Sequence, residues 1–296
     1  MKILIIVILV LLVLIIAASI ALASFTMTGS RQTLEEAFAW QSDHYDTSFY
    51  SALEKEDYTV SGHDDYVIHV EFLKNPDSDG KYIILSHGYT DNRFGSLKYA
   101  KMYLDLGFNC IIYDLRGHGE NEKTFTSYGV LESKDLIKLI EDTGSRYSDI
   151  KTLGLHGESL GAATTVTSMK YKPDVDFAVA DCGFSDIENV LKNGYASVNA
   201  PSFLFNLSNL GAMILYHHSL SSMRPIDSLD DNQVPILFIH GAEDSFIVPD
   251  NSRNMSERTA GYSELHLVEG AGHAESILTD PDSYMKYVEA FLKKVL

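Results

Sequence analysis

The chain has 296 residues, 45% of them hydrophobic, with 23 basic against 41 acidic side chains and a formal net charge of −18. That length holds one large α/β domain or two small ones, and the acidity excludes nucleic acid as a partner by plain repulsion. Two cysteines, Cys110 and Cys182, fall in apolar strand-like runs and read as buried free thiols, and no Cys/His spacing matches a structural zinc site.

The first element is an apolar run. Ile3 to Ala23 holds no charge and one polar residue, Ser19, and is long enough to cross a bilayer core as a helix. Lys2 precedes it and Arg31 is the first charge after it, a bias that places the N-terminus inside and the remainder outside. Residues 1–28 are therefore expected to be a single-pass anchor in the cell membrane, with the rest of the chain extracytoplasmic. The alternative is a signal segment cleaved at the small-x-small stretch Ala21-Leu22-Ala23, giving a secreted protein. Beyond Lys2 the chain carries 22 basic and 41 acidic side chains, an acidity that also disfavours anionic lipid headgroups. Residues 29–56 are polar and partly helical, a juxtamembrane stalk or a brace on the domain.

From residue 57 to 296 the pattern is that of one α/β domain. Tyr58 to Val60 and Tyr66 to Leu73 alternate like a hairpin joined through Gly62-His63-Asp64-Asp65. Apolar strands follow at Tyr82–Leu85, Phe108–Tyr113, Thr152–Leu155, Phe177–Ala180, Ile236–Ile239 and Leu265–Val268. Helical stretches lie near Gly95–Leu106, Gly129–Arg146, Ala162–Lys170, Asp250–Gly261 and Tyr284–Val295. Continuous apolar strands separated by helices imply a doubly wound, mostly parallel sheet covered on both faces. One interval breaks the rhythm. Between the strands ending at Ala180 and starting near Val234, an apolar insert over about residues 185–230 is expected to form a helical cap at the carboxyl ends of the strands, where ligands bind.

Gly157-Glu158-Ser159-Leu160-Gly161 lies where a strand runs directly into a helix. A serine in that sharp turn is projected beyond the sheet edge, and the flanking glycines let strand and helix approach. A serine hydroxyl is a poor nucleophile until a base takes its proton, and that base needs a carboxylate to orient it. Of eleven histidines, His273 is the candidate base, because Gly270-Ala271-Gly272-His273 follows the last strand at the same sheet edge. Asp244, in the loop after Ile239-His240-Gly241, is the candidate carboxylate; Glu243 has the wrong parity, and Asp181 is the alternative. Acyl transfer also needs oxyanion donors, for which the backbone N–H groups of Leu160 and of Tyr89 in Ser86-His87-Gly88-Tyr89 are placed. His87 would prop that loop by hydrogen bonding, and Arg116 in Asp114-Leu115-Arg116-Gly117-His118-Gly119 would tie loops through carboxylates. His118, His156 and His240, each beside a glycine turn, read as structural or supporting.

Taken together, Ser86-His87-Gly88-Tyr89-Thr90, the Asp114–Gly119 loop, Gly157–Gly161, His240–Asp244 and Gly272-His273 resemble the α/β-hydrolase superfamily, in its Ser–Asp–His chain order. The resemblance spans about Asp57 to Leu296. It is nearest to bacterial, often membrane-anchored hydrolases of esterase/lipase-like and serine aminopeptidase-like kinds. The resemblance implies a nucleophile at Ser159, an acid at Asp244, a base at His273 and an oxyanion hole at Tyr89 and Leu160. The expected activity is hydrolysis of a carboxylic ester with an apolar acyl or small hydrophobic group, with no metal or organic cofactor. An aminopeptidase, amidase or thioesterase on the same residues is the alternative, and a non-catalytic binding protein is a further one. The expected partners are a small ester or peptide substrate and, through the N-terminal helix, the membrane; oligomeric state is left open.

Overall fold

A computed structural model describes every residue of the chain except Val198. Among these residues eight strands form one sheet: β1 (Glu54–Ser61), β2 (Val67–Lys74), β3 (Lys81–Ser86), β4 (Phe108–Tyr113), β5 (Thr152–Glu158), β6 (Phe177–Asp181), β7 (Ile236–Gly241) and β8 (Ser263–Val268). Their spatial order is β1-β2-β4-β3-β5-β6-β7-β8. The first pairings, β1 with β2 and β2 with β4, are antiparallel, and every pairing from β4 to β8 is parallel.

The chain begins with α1 (Lys2–Met27), followed by α2 (Leu34–His44) and α3 (Ser48–Ala52). Then come α4 (Leu97–Asp105), α5 (Val130–Arg146), α6 (Leu160–Ser168), α7 (Ile187–Ser197) and α8 (Phe203–Tyr216). The chain closes with α9 (Asp250–Arg258), α10 (Ser276–Thr279) and α11 (Pro281–Val295).

Strand side chains point alternately to the two faces, and here both faces are apolar. Ile84, Ile111 and Leu155 join Leu136, Leu139 and Val166 of α5 and α6 in one core. Ile83, Leu85, Cys110, Ile112 and Ile239 join Tyr99 and Tyr103 of α4 and Val288 and Phe291 of α11 in the other. In α11 the buried residues Tyr284, Val288, Phe291 and Leu292 recur at helical spacing. Its start is set by Pro281 and by Asp280, whose carboxylate accepts the Ser283 N–H at 3.0 Å. Cys110 and Cys182 are buried free thiols.

The N-terminal segments are woven into this frame. In α1 the side chains up to Ala18 are exposed, whereas Ser19, Ala23 and Met27 are fully buried. Helix α1 packs along α8, and a Cβ on Gly211 would overlap the Ser19 carbonyl group. The Thr26 and Ser208 hydroxyls are 3.2 Å apart across that contact. Residues 29–56 brace the domain: Gln32 N–H donates to the Thr90 carbonyl at 2.7 Å, and Phe38, Tyr45, Phe49 and Tyr50 pack on the second core. The Arg31 guanidinium donates to the Gly117 carbonyl, to the Thr124 carbonyl at 2.8 Å and to Thr126 Oγ1 at 2.9 Å. Strand β1 starts at Glu54, within the stretch read from sequence as juxtamembrane.

The insert between β6 and β7 contains α7 and α8, as a helical cap. The span expected for it, 185–230, includes Val198, which lies outside the described residues.

Candidate active site

Strand β5 ends at Glu158 and α6 begins at Leu160, leaving Ser159 to make the whole turn with φ 53° and ψ −109°. A residue with a side chain is strained at such a φ and stays there only if its surroundings hold it. Ser159 N–H donates to the Asp181 carbonyl of β6 at 2.8 Å, and the Ser159 carbonyl accepts from Ala163 N–H at 2.9 Å. A Cβ on Gly157 would overlap the Gly161 carbonyl, and one on Gly161 would overlap the Ser86 carbonyl. Both glycines are required by close backbone approach, as the spacing predicts.

The other two candidate side chains reach Ser159 from neighbouring loops. His273, between β8 and α10, places Nε2 3.0 Å from Ser159 Oγ and Nδ1 2.7 Å from Asp244 Oδ2. With Nδ1–H donating to the carboxylate, the Nε2 lone pair faces the hydroxyl. Asp244, in the loop after β7, is buried; its Oδ1 accepts from Phe246 N–H at 2.9 Å and Ile247 N–H at 2.8 Å. Burial alone would raise this carboxyl, but hydrogen bonds from His240 and His273 outweigh it and hold the group well below the usual carboxylate range.

The alternative carboxylate, Asp181, lies elsewhere. Its Oδ2 is 2.9 Å from the Tyr99 hydroxyl and 3.0 Å from that of Tyr284, deep in the second core. His87 props its loop as expected: Nε2 accepts from Leu115 N–H at 2.9 Å, and Nδ1 donates to the Gly88 carbonyl at 2.7 Å. Arg116 binds Asp135 in two-pronged fashion at 2.7 and 2.8 Å. His156 is enclosed by Tyr99, Tyr103 and Tyr284, and burial with the nearby Lys98 charge pushes it down to about 3. His118 is buried, its Nδ1 2.9 Å from the Arg116 carbonyl.

Two clefts meet at Ser159, with Tyr89 and Phe246 bordering both. One, of about 610 Å3, is polar at its base, where Asp91, Lys98 and Glu158 converge. The other, of about 650 Å3, is walled by Ile187, Val190, Leu191 and Tyr195 of α7 and by Phe25 and Thr26 at the end of α1. The backbone of Tyr89 lies in the loop after β3, and the Leu160 N–H is at the first position of α6, where an intrahelical acceptor is lacking.

Three features escaped the sequence reading. Lys98 Nζ is 2.5 Å from Glu158 Oε2 and 3.1 Å from the Ala274 carbonyl, so it clamps the residues beside Ser159 and His273. Burial would lower the Lys98 ammonium, but the Glu158 charge raises it. Phe246 sets its ring edge against the His273 imidazole, centroids 5.1 Å apart. The end of α1 lines the apolar cleft. Nothing local marks a buried lysine or a loop phenylalanine as part of a site, and Ser19 and Ala23 stand among other small residues, Ala17, Ala18, Ala21 and Ser24.

With this geometry in view, residues 95–296 match the Peptidase_S9 family description. The chain belongs to the prolyl oligopeptidase family. Its sheet order and crossovers are those of the α/β-hydrolase superfamily, and its class is that of the hydrolases. The chain is 32% identical to the uncharacterized protein YqkD of Bacillus subtilis over 71% of its own length and 70% of the relative's. It is 24% identical to the uncharacterized membrane protein YNL320W of Saccharomyces cerevisiae, covering 84% of each chain. Among solved structures the fold resembles the Pyrococcus furiosus esterase Pf2001, with a TM-score of 0.70 at 21% identity, covering 84% of this chain and 94% of that one.

Proposed function

We propose that this protein is a serine esterase acting on carboxylic esters with an apolar acyl group. The observation that carries the reading is the hydrogen-bonded series Asp244–His273–Ser159 opening directly onto an apolar cleft. Ser159 Oγ attacks the ester carbonyl carbon while His273 Nε2 takes the hydroxyl proton, and Asp244 stabilises the imidazolium that results. The backbone N–H groups of Tyr89 and Leu160 hold the oxyanion, each such donor lowering the barrier by about 3–4 kcal/mol. Collapse expels the alcohol, which receives the proton from His273. Water, deprotonated by the same nitrogen, then releases the acid and restores Ser159.

The two clefts divide the substrate. The α7 side accepts the aliphatic acyl chain, and the polar side beside Lys98 and Glu158 accepts the alcohol. Amide hydrolysis on the same residues draws support from the peptidase in the family's description, but an apolar cleft beside Ser159 favours the ester.

The apolar α1 serves as an uncleaved single-span anchor that holds the catalytic domain outside the cell. The naming of the yeast relative as a membrane protein supports this. So does the burial of Ser19 and Ala23, since cleavage after Ala23 would strip both from their packing on α8.

The test is the full chain in detergent, reacted with a fluorophosphonate probe and with p-nitrophenyl esters from acetate to palmitate, beside Ser159→Ala. Labelling and turnover lost in the variant are expected. A folded wild-type chain that neither labels nor turns over any ester would refute the reading; labelling with amide turnover alone would move it to the peptidase alternative.

A further inference from the structure

The chain holds two long stretches without a charged side chain, residues 3–30 and 193–223, although 22% of all its residues are charged. The structure packs one on the other: α1 lies along α8, with small residues Ser19, Ala23, Gly211 and Ala212 at the crossing and the Thr26–Ser208 hydroxyl contact beside it. Small residues with hydroxyl contacts are how helices associate within lipid. The face of α8 turned away from this contact is mostly apolar: beside the exposed Asn206 it carries Phe203, Leu210, Met213 and Ile214, each at least 40% exposed.

Length decides what covers that face. The part of α1 free of the domain runs from Ile3 to Ala18, which at 1.5 Å per residue is about 24 Å. A hydrocarbon core is about 30 Å thick. The remaining ~6 Å of the span must therefore be completed by the turn from Ser19 onward, the turn that α8 packs against.

Resting on the anchor and esterase reading above, we infer that the exposed face of α8 is immersed in the bilayer beside α1. The mouth of the apolar cleft is thereby held at the lipid interface, and the acyl chain of a membrane-dissolved ester reaches Ser159 from the bilayer rather than from water. The same cleft supports this path, since Phe25, which is 80% exposed, and Thr26 of α1 form its rim while Ser159 lies at its base. The uncharged α8 also presents the bilayer with a part of this acidic protein that headgroups do not repel.

The experiment places an environment-sensitive fluorophore on the full chain in phosphatidylcholine vesicles through Met213→Cys, Val10→Cys or Lys293→Cys, and adds nitroxide-labelled lipid. The Val10 label should be quenched, the Met213 label should be quenched at least threefold more than the Lys293 label, and the latter should stay bright. Quenching at Val10 with none at Met213 would overturn the docking and leave the anchor standing; no quenching at either would overturn both. A Met213 label shielded from lipid in a particle of doubled mass would mean that a second copy covers the face, and would also overturn it. In a second arm, Leu210→Glu/Met213→Glu should cut turnover of a long-chain ester dissolved in vesicles about tenfold and leave p-nitrophenyl butyrate turnover in detergent unchanged. Equal effects on both substrates, or on neither, would overturn the proposal. A wild-type chain inert to both esters would defeat the esterase reading, while the quenching result would still decide the docking.

Discussion

His240 and Asp244 share a buried contact: His240 Nε2 lies 3.2 Å from Asp244 Oδ2, the same oxygen that accepts from His273. His240 Nε2 is also 2.6 Å from the Ile247 carbonyl, and its Nδ1 is 2.7 Å from the Ser252 hydroxyl. The ring is thus pinned at both nitrogens, and it holds the carboxylate that orients the candidate base.

His240→Ala should therefore lower kcat about tenfold with KM unchanged, as the loss of one hydrogen bond to a charged group predicts. His240→Asn, which keeps a donor, should recover part of that loss. Steady-state kinetics on a short p-nitrophenyl ester check this; an unchanged kcat in the alanine variant would mean that His240 only fills space.

A second relationship concerns protons rather than orientation. The Tyr99 hydroxyl has one proton and two carboxylate neighbours, Glu158 Oε2 at 2.6 Å and Asp181 Oδ2 at 2.9 Å. Burial, reinforced by the Glu158 charge, pushes Asp181 up to about 6, so below that pH the neutral form supplies the missing proton. A folded-state value above the unfolded one of about 3.9 means that this stability is present below pH 4 and is lost as pH rises through 6. Asp181→Asn mimics the neutral acid. It should be nearly neutral at pH 4 and stabilising by about 2 kcal/mol at pH 8, measured by urea unfolding at both values.

Gly161 faces the Ser86 carbonyl with no room for a methyl group. Gly161→Ala should destabilise the chain by about 1–3 kcal/mol through overpacking, with activity falling as the turn at Ser159 shifts. Thermal unfolding and fluorophosphonate labelling rate read the two effects separately.

Leu191 lines the apolar cleft from α7. Leu191→Trp should shorten the accepted chain, dropping the palmitate-to-butyrate ratio of kcat/KM by at least ~10-fold, since loss of even one methylene's space is worth that order. An unchanged chain-length profile would place the acyl group in the polar cleft beside Lys98 instead.

Much of this architecture was legible in the sequence because its signals are local. Apolar strands of four to six residues between helical runs announce a covered parallel sheet, and the strands from Tyr82 to Val268 lie where the pattern places them. Ser159, Asp244 and His273 could be named because each sits in a glycine-bearing loop immediately after a strand, and parallel strands bring all such loops to one edge. The brace of residues 29–56 was less legible, since Phe38, Tyr45 and Tyr50 are scattered among polar residues and acquire meaning only against the second core.

By itself, then, the sequence determined the sheet with its flanking helices, the strained turn at Ser159, the side chains that accompany it and the presence of an apolar first helix. Periodicity and turn chemistry act within a dozen residues, and these features need nothing longer. Only the tertiary structure decided that His240 shares an oxygen of Asp244, that Lys98 spans Glu158 and Ala274, and that Ser19 meets Gly211. Apart from the first of these, the contacts join residues dozens to nearly two hundred positions apart. They exist because the crossovers of a doubly wound sheet bring distant loops to a common edge, a long-range order that no window of sequence contains.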